Sequence, residues 1–381
     1  MTGSPLIPDL RYCTRCCMPE SNEGIQFDDM GICQACQSAE QKIHIDWAER
    51  ESKLREILEH YKSMGNAYDC IVPISGGKDS TFQLHIITRV YKLRALAVTF
   101  SHNWYSEIGK KNLDNALEVF GVDHIMFTPS RQLVNKIARQ SLYKIGDPCW
   151  HCHAGVGAFP LQIAVKFKIP LLVWGESIAE MSGRATHYEP GTKFDRDYFT
   201  KVSAKVYPDS MVSAYIQARE LAPFRIPSVE EIEKVGVVGI HLGDYIFWDD
   251  ERQMEFVRDE YGWLEGDVEG TYKGYKSVEC KMAGLHDYTK FLKRGFGRGT
   301  DHASIDVRAG LLTREQGFEL AKQHDIEVPA VLDDYLKLTG FWQDEFREIM
   351  QHHRDALEID AIKGIKLHEA VKAYRERDAN G

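Results

Sequence analysis

The 381-residue sequence has no apolar run approaching the roughly 18–20 residues that a membrane span needs. Its opening residues, MTGSPLIPDLRYC, lack the basic and apolar regions of a secretory leader. It also lacks a surplus of basic residues, since 57 Asp and Glu outnumber 47 Lys and Arg and give a net charge of −10. An acidic chain is a poor partner for a phosphate backbone. We therefore expect a cytoplasmic protein that binds no membrane and for which a nucleic acid is an unlikely partner.

Without a secretory leader, the nine cysteines argue against a disulfide framework and for metal or redox chemistry. Four of them form the pairs Cys13-x-x-Cys16 and Cys33-x-x-Cys36, in a segment with little apolar periodicity. Four thiolates at this spacing are typical of a tetrahedral zinc site, in which the metal replaces a hydrophobic core. We predict structural zinc here; another metal or free thiols are the alternatives.

From residue 68 onward, short apolar runs alternate with amphipathic segments. The predicted strands are 70–74, 93–100, 124–127 and 171–174. The predicted helices are 79–91, 106–120, 130–143 and 154–168. This alternation predicts an α/β fold, a parallel sheet with helices on both faces, whose ligands bind beyond the carboxyl ends of the strands.

The most informative segment is DCIVPISGGKDSTFQLHII, in which a strand runs into a glycine-rich turn and then into a helix. The two glycines let the backbone approach an anion closely, and the helix N-terminus offers free N–H groups and a positive dipole. Lys78, Ser75 and Ser80 add donors, and Asp79 is suited to hold Mg²⁺ against phosphates. The turn is not a Walker loop, because the first glycine of that pattern would fall at Val72.

The hexapeptide SGGKDS at 75–80 is the signature of the PP-loop ATP pyrophosphatases, which this chain resembles. The resemblance implies an adenine nucleotide alpha-hydrolase-like fold and cleavage of ATP between its α and β phosphates, with AMP carried on a substrate oxygen. It places adenine near the end of the second strand and an acidic group near the metal after a later strand. The residues it assigns to ATP are Ser75, Gly76, Gly77, Lys78, Asp79, Ser80, Thr99, Phe100, Gly175 and Glu176, with Lys78 and Asp79 catalytic.

A wider pattern covers most of the chain: RYCTRCCMP, GICQAC, SGGKDS, GDPCWHCHAGVGAFPLQIAVKFKIPLLVWGE and GRGTDHASIDVRAG. Together these motifs resemble the N-acetyl sugar amidotransferases of bacterial surface polysaccharide biosynthesis. The resemblance implies conversion of an acetamido group on a nucleotide-linked sugar into an acetamidino group. It also implies ATP, Mg²⁺ and ammonia from a separate glutaminase subunit.

A second cysteine pair, Cys149-x-x-Cys152, precedes the fourth predicted helix, and Cys280 is the only cysteine that follows it. Some PP-loop thiolation enzymes hold a [4Fe-4S] cluster on a similar set of three cysteines. His151 and His153 are interleaved with the pair. Three interpretations stay open: a three-cysteine iron–sulfur cluster, a packing or tunnel role without metal, and a second zinc.

Two alternatives to the sugar amidotransferase follow from the same residues. One is a PP-loop sulfur transferase, acting on tRNA or a small molecule, which the cysteines favour and the acidity disfavours. The other is a non-catalytic module that binds zinc and nucleotide, against which the intact Lys78 and Asp79 argue.

Weaker signals surround these motifs. His102 and Trp104 follow the second strand and are as consistent with packing as with a pocket wall. His187, Tyr188 and the DRDYF stretch at 195–199 suit a charged sugar or a solvated surface. The charged run at 297–310 suits either an active-site contact or a salt-bridged helix end.

We expect four segments along the chain. Residues 1–45 form the zinc-knuckle segment and 46–66 a linking helix that begins after Asp46. Residues 67–180 form the ATP-binding α/β domain. Residues 181–381 form a substrate-side, mostly helical extension, with a capping box at Thr313 and Gln316.

Overall fold

The computed structural model describes residues 4–177, 204–367 and 371. Five strands form one parallel sheet in the order β3-β2-β1-β4-β5. Their bounds are Cys70–Pro73, Ala95–Phe100, Asp123–Phe127, Leu171–Trp174 and Val238–His241 for β1 to β5. The predicted α/β fold with a parallel sheet is confirmed.

Alternate residues of the strands bury their side chains in two different cores. Cys70 and Val72 of β1 pack into one cluster, whereas Ile71 between them packs into the other. This alternation follows from the two-residue period of a strand, which turns successive side chains to opposite faces. Helices cover both faces, as expected.

The first six α-helices are Gln34–Ile43, Trp47–Ser63, Lys78–Leu84, Glu107–Phe120, Arg131–Ile145 and Trp150–Phe167 for α1 to α6. Asp46 caps α2 by accepting a hydrogen bond from the Glu49 N–H, and Leu54 and Leu58 of its apolar face are fully buried. The predicted helix at 79–91 is α3 followed by a π-helical turn over His85–Val90. The predicted helix at 154–168 starts earlier, at Trp150, so that the Cys149 to His153 segment forms its N-terminal turn.

β5 was not recognised from the sequence. It has only four residues, VGIH, and one of them is a glycine, so the segment lacks the apolar run that marked β1 to β4. It pairs with β4 from Leu171↔Val238 to Trp174↔His241. The sheet therefore takes its fifth strand from the 181–381 segment.

Beyond β4 the described residues are mainly helical. The helices are Val229–Val235, Asp250–Tyr261, Ala283–Arg294, Arg298–Arg308, Arg314–Asp325, Leu332–Thr339 and Gln343–Asp355 for α7 to α13. Short 3-10 turns occupy Pro208–Met211, Ala218–Phe224 and Leu242–Asp244. The capping box of Thr313 and Gln316 at the start of α11 is confirmed. No helix among the described residues is both long and apolar enough to cross a bilayer.

Candidate functional site

The glycine-rich turn lies between β1 and α3, at the carboxyl edge of the sheet. Gly76 has a φ of +88°, and a Cβ there would come within 2.5 Å of the Gly109 carbonyl oxygen on α4. Its own carbonyl accepts a 3.0 Å hydrogen bond from the Trp263 indole N–H. A side chain at position 76 would therefore be strained and would also clash with α4.

Serine hydroxyls close the turn onto itself. The N–H of Gly77 donates to Ser75 Oγ at 3.3 Å, and the Ser75 N–H donates to Ser80 Oγ at 3.3 Å. Ser80 Oγ in turn donates to the Gly77 carbonyl at 3.0 Å. These bonds fix the backbone at the start of α3, where the first helical N–H groups have no intrahelical partner.

Lys78, the first residue of α3, is only 2% exposed and forms two ion pairs. Its Nζ lies 2.7 Å from Asp79 Oδ1 and 2.7 Å from Asp250 Oδ1. Lys276 contacts the other carboxylate oxygen of Asp250. Burial alone would raise the pKa of Asp250, but the two lysines outweigh it and hold that pKa below its ordinary value.

Asp250, at the start of α8, was missed by the sequence analysis. Its sequence context, WDDERQ, is that of an ordinary helix start with acidic residues, so nothing local marks it as a partner of the turn. Lys276 was missed as well, because nothing in its local sequence marks it as a partner of Asp250.

Two further carboxyl groups approach the turn. Burial, with the nearby Asp250 carboxylate second, raises the pKa of Glu176 to about 8. Burial also raises the pKa of Glu279. Glu279 comes close because Gly109 has no side chain, since a Cβ at position 109 would lie 2.2 Å from the Glu279 Cα.

A cavity of about 530 Å³ opens against the turn. Most of its wall comes from four parts of the chain: the turn itself, the 275–279 segment, helix α10 and the cysteine-rich segment. Glu176, Lys205 and Lys290 complete it. Ser75, Gly77, Lys78, Asp79, Ser80 and Glu176 line it among the predicted ATP residues. Of the charged residues in the run at 297–310, Arg298, Asp301, His302 and Arg308 line it.

Helix α10 is salt-bridged as well as cavity-lining. Arg298 Nε lies 2.6 Å from Asp287 Oδ2, and Asp301 pairs with Lys290. The salt-bridged helix end described for the 297–310 run is present, and its contact with a substrate stays a prediction.

Thr99 and Phe100 at the end of β2 lie away from this cavity. Thr99 Oγ1 donates to the Ile74 carbonyl at 2.8 Å and contacts His124 Nε2 at 2.8 Å. The Phe100 ring packs on Phe127 and against Gly155, where a Cβ would lie 2.2 Å from the ring. Contact of Thr99 and Phe100 with adenine stays a prediction. Contact of the buried Gly175 with ATP stays a prediction as well.

His102 and Trp104 belong to a buried aromatic layer. The His102 ring stacks on Tyr105 with a centroid distance of 4.4 Å, and Trp104 meets His151 edge-on at 4.7 Å. Burial, with His151 second, lowers the pKa of His102 to about 3, so its ring is neutral at physiological pH. His187, Tyr188 and residues 195–199 lie outside the described residues.

The four cysteines of the N-terminal segment converge on one buried point. Their sulfur atoms all lie within 4.8 Å of one another, with Cys13 Sγ–Cys36 Sγ at 3.8 Å and Cys16 Sγ–Cys33 Sγ at 3.7 Å. Tetrahedral coordination with Zn–S bonds of about 2.3 Å places sulfurs about 3.8 Å apart. The cluster therefore has the geometry to bind a metal such as zinc.

Two arginines attach this cluster to the C-terminal helices. Arg314 donates to the carbonyls of Cys13 and Cys16, with Nη2 2.8 Å from the Cys13 oxygen. Arg308, on the cavity wall, lies 3.8 Å from Cys16 Sγ. Its positive charge offsets the negative charge that four thiolates and one divalent ion would carry.

The structure brings Cys280 back to the Cys149 and Cys152 pair. Cys149 is buried in one hydrophobic cluster, and Cys152 and Cys280 pack against that cluster. Cys280 also forms an isolated β-bridge with Tyr105. An iron–sulfur cluster at this place stays a prediction.

The C-terminal part of the chain is similar to a known protein family. Residues 269–370 match the sequence model of the family described as LPS biosynthesis protein WbpG-like, C-terminal domain. The match includes α9 to α13, and it supports a role in polysaccharide biosynthesis.

A second similarity is to an uncharacterized protein of Methanocaldococcus jannaschii, MJ1599, with 30% identity over 95 residues. The aligned region is 25% of this chain, and the chain spans about a third of the length of that relative, 33%.

Proposed function

We propose that this chain is an ATP-dependent amidotransferase, a carbon–nitrogen ligase acting in polysaccharide biosynthesis. It would adenylylate the acetamido oxygen of a nucleotide-linked N-acetyl sugar and replace that oxygen with ammonia. The observation that carries the proposal is the shared cavity. Lys78, Asp79 and Glu176 line it together with residues of the 269–370 match, which we call the WbpG-like segment.

The turn supplies what a triphosphate needs. Helix α3 starts at the turn with its positive dipole end, and Lys78 is held there by two carboxylates. A phosphate arriving at this point would compete with Asp79 and Asp250 for the lysine. The ammonium group of Lys78, already held at the turn, would stabilise the negative charge that develops on pyrophosphate as it leaves.

Asp79 and Glu176 on the cavity wall offer carboxyl oxygens to a hard divalent cation. Oxygen ligands are what Mg²⁺ prefers. Burial and, second to it, the neighbouring Asp250 carboxylate raise the pKa of Glu176, and a bound cation would favour the ionised form of Glu176. When bound, Mg²⁺ would neutralise charge on the phosphates. Asp79 is the residue we assign to it first.

The cationic side chains of the cavity suit an anionic, sugar-bearing substrate. Six cationic side chains line the cavity: Lys78, Lys205, Lys276, Lys290, Arg298 and Arg308. Arg and Lys are the usual partners of a diphosphate. A volume near 530 Å³ falls within the range of ligand sites, about 300–1,000 Å³.

The reaction balances without a redox step. The acetamido oxygen attacks the α-phosphorus of ATP and pyrophosphate leaves. Ammonia then adds to the activated carbon, and that oxygen leaves with AMP, giving an acetamidino group after proton loss. Because water competes with ammonia at the activated carbon, supply from a separate glutaminase subunit would favour the desired product.

The test is incubation of the purified chain with ATP, Mg²⁺, a uridine diphosphate N-acetyl sugar and ammonium at alkaline pH. We expect AMP, pyrophosphate and a sugar whose mass has changed by replacement of O with NH. Lys78→Ala and Asp79→Asn should each lower AMP formation on the order of 100-fold while the protein stays folded. Sulfur incorporation from a sulfide donor, with no reaction of ammonium, would favour the sulfur transferase instead.

A further inference from the structure

A second group of metal-ligating side chains lies outside the cysteine-rich segment. Asp147, Cys149 and His286 place a carboxylate oxygen, a thiol sulfur and an imidazole nitrogen all within 4.8 Å of one another. Asp147 and Cys149 are buried, and His286 is partly buried on α9. The group joins two parts of the chain that are 139 positions apart.

The three side chains are held in place by local contacts. Asp147 Oδ1 accepts the backbone N–H of Cys149 at 2.8 Å, which fixes the Asp147 side chain against the backbone of this short loop. His286 Nδ1 lies 3.1 Å from the same oxygen. The His153 ring lies 5.2 Å from the His286 ring, centroid to centroid.

This arrangement matches the donor set of a transition-metal site. Zinc binds Cys, His and Asp together, with ligand atoms about 3–4 Å apart around the ion. Among the described residues, only the four-cysteine cluster and this trio bring three or more such ligand atoms within 4.8 Å. The four-cysteine cluster, which meets the same distance criterion, has the geometry of a zinc site. We therefore take the proximity of the three ligand atoms in the trio as evidence for metal binding.

An ion could reach the trio from solvent. Asp147 and His286 line a cavity of about 110 Å³, and four of its other wall residues also line the larger cavity: Asn22, Glu23, Lys205 and Lys290. Lys205 Nζ lies 3.9 Å from Asp147 Oδ2, and its charge partly balances that carboxylate. A divalent ion with one carboxylate and one thiolate forms a neutral centre, which a buried site tolerates well.

We propose that Asp147, Cys149 and His286 bind a second divalent metal ion, zinc by its ligand set. The ion would fasten the start of α6, next to the sheet, to α9 in the WbpG-like segment. Three protein ligands leave the fourth tetrahedral position for a water or for His153. The site is independent of the amidotransfer reaction and excludes an iron–sulfur cluster that uses Cys149.

The test is the metal content of the full chain, prepared without oxygen from zinc-replete cells. We expect about two zinc ions per chain in the wild type and about one in His286→Ala and in Asp147→Ala. Cys152→Ser and Cys280→Ser should keep both ions, as should His352→Ala, which alters an exposed histidine of α13. Cobalt-grown His286→Ala should retain the absorption of the four-thiolate cluster, which shows that the N-terminal segment remains folded.

Two results would overturn the proposal. One is a wild type with a single zinc and no other metal. The other is a second metal that survives His286→Ala and Asp147→Ala and disappears in Cys152→Ser and Cys280→Ser, together with about four irons per chain. That pattern would assign the three cysteines to an iron–sulfur cluster.

Discussion

The ammonium group of Lys78 lies 2.7 Å from a carboxylate oxygen of Asp250, although 172 positions separate the two residues. The pair connects the turn at the end of β1 with the start of α8. Lys78 is 2% exposed, so its charge has protein partners on most sides and little water. Removing one member of such a pair leaves the other buried and uncompensated.

We therefore expect Asp250→Asn to slow AMP formation on the order of 10- to 100-fold, because Lys78 and Lys276 lose the group that positions them. Asp259→Asn is the matched control, since Asp259 lies on the same helix and is exposed. Steady-state rates of AMP release measure the effect. Equal rates of AMP release in the two variants would show that Asp250 does not contribute to AMP formation.

The turn itself is tested by Gly76→Ala. A left-handed residue with a Cβ costs about 1–2 kcal/mol, and here the Cβ also meets the Gly109 carbonyl at 2.5 Å. Gly65→Ala is the control, because Gly65 also has a positive φ but its Cβ would meet nothing within 4 Å. We expect Gly76→Ala to lose more free energy of unfolding in urea than Gly65→Ala, and to lose AMP formation as well. A Gly76→Ala protein with wild-type stability and rate would contradict this account of the turn.

The four-cysteine cluster predicts a defined response to mutation. Cys33→Ser should lose the zinc of this site and lower the thermal unfolding temperature, because the metal substitutes for a core in residues 13–36. Cys17→Ala is the control: Cys17 is buried beside the cluster, but its sulfur donates to the Arg314 carbonyl. If Cys33→Ser retained its zinc and Cys17→Ala lost it, Cys17 and not Cys33 would be the metal ligand.

The raised pKa of Glu176 predicts that the free energy of unfolding depends on pH. Burial and the neighbouring Asp250 raise its pKa from 4.5 to about 8, so the folded protein binds a proton there more tightly than the unfolded chain does. The contribution of Glu176 to stability is therefore present below pH 4.5 and is lost as pH rises through about 8.

Urea unfolding of the nucleotide-free protein without Mg²⁺ measures this effect. Between pH 5 and 8 the free energy of unfolding should fall more steeply in the wild type than in Glu176→Gln. Glu118→Gln, which alters an exposed residue of α4, should follow the wild type. Identical slopes in wild type and Glu176→Gln would show that the Glu176 pKa is not raised.

The central strands β1 and β2 were predictable because burial on both faces makes them apolar throughout. The strands β1 and β2 are buried along their whole length and read as continuous apolar runs. The edge strand β5 has a half-buried first residue and a glycine, and it follows a stretch without a regular pattern. Its membership in the sheet depends on pairing with β4, which no local signal records.

The candidate site was predictable only where its residues are contiguous. SGGKDS carries its own context, a strand before it and a helix after it, whereas Asp250 and Lys276 reach the turn through the tertiary fold. The contact of His286 with Asp147 could not be predicted either, because 139 positions separate the two residues. The return of Cys280 to the earlier cysteine pair was only a hypothesis, because over a hundred residues separate them.

The central claim is that the substrate's acetamido oxygen attacks ATP. A uridine diphosphate N-acetyl sugar labelled with a heavy oxygen isotope in its acetamido carbonyl tests it most directly. Incubated with the chain, ATP, Mg²⁺ and ammonium, it should transfer the label to the phosphate of AMP and yield an unlabelled amidine. AMP without label beside labelled amide, or release of ADP and phosphate in its place, would contradict adenylylation of the sugar.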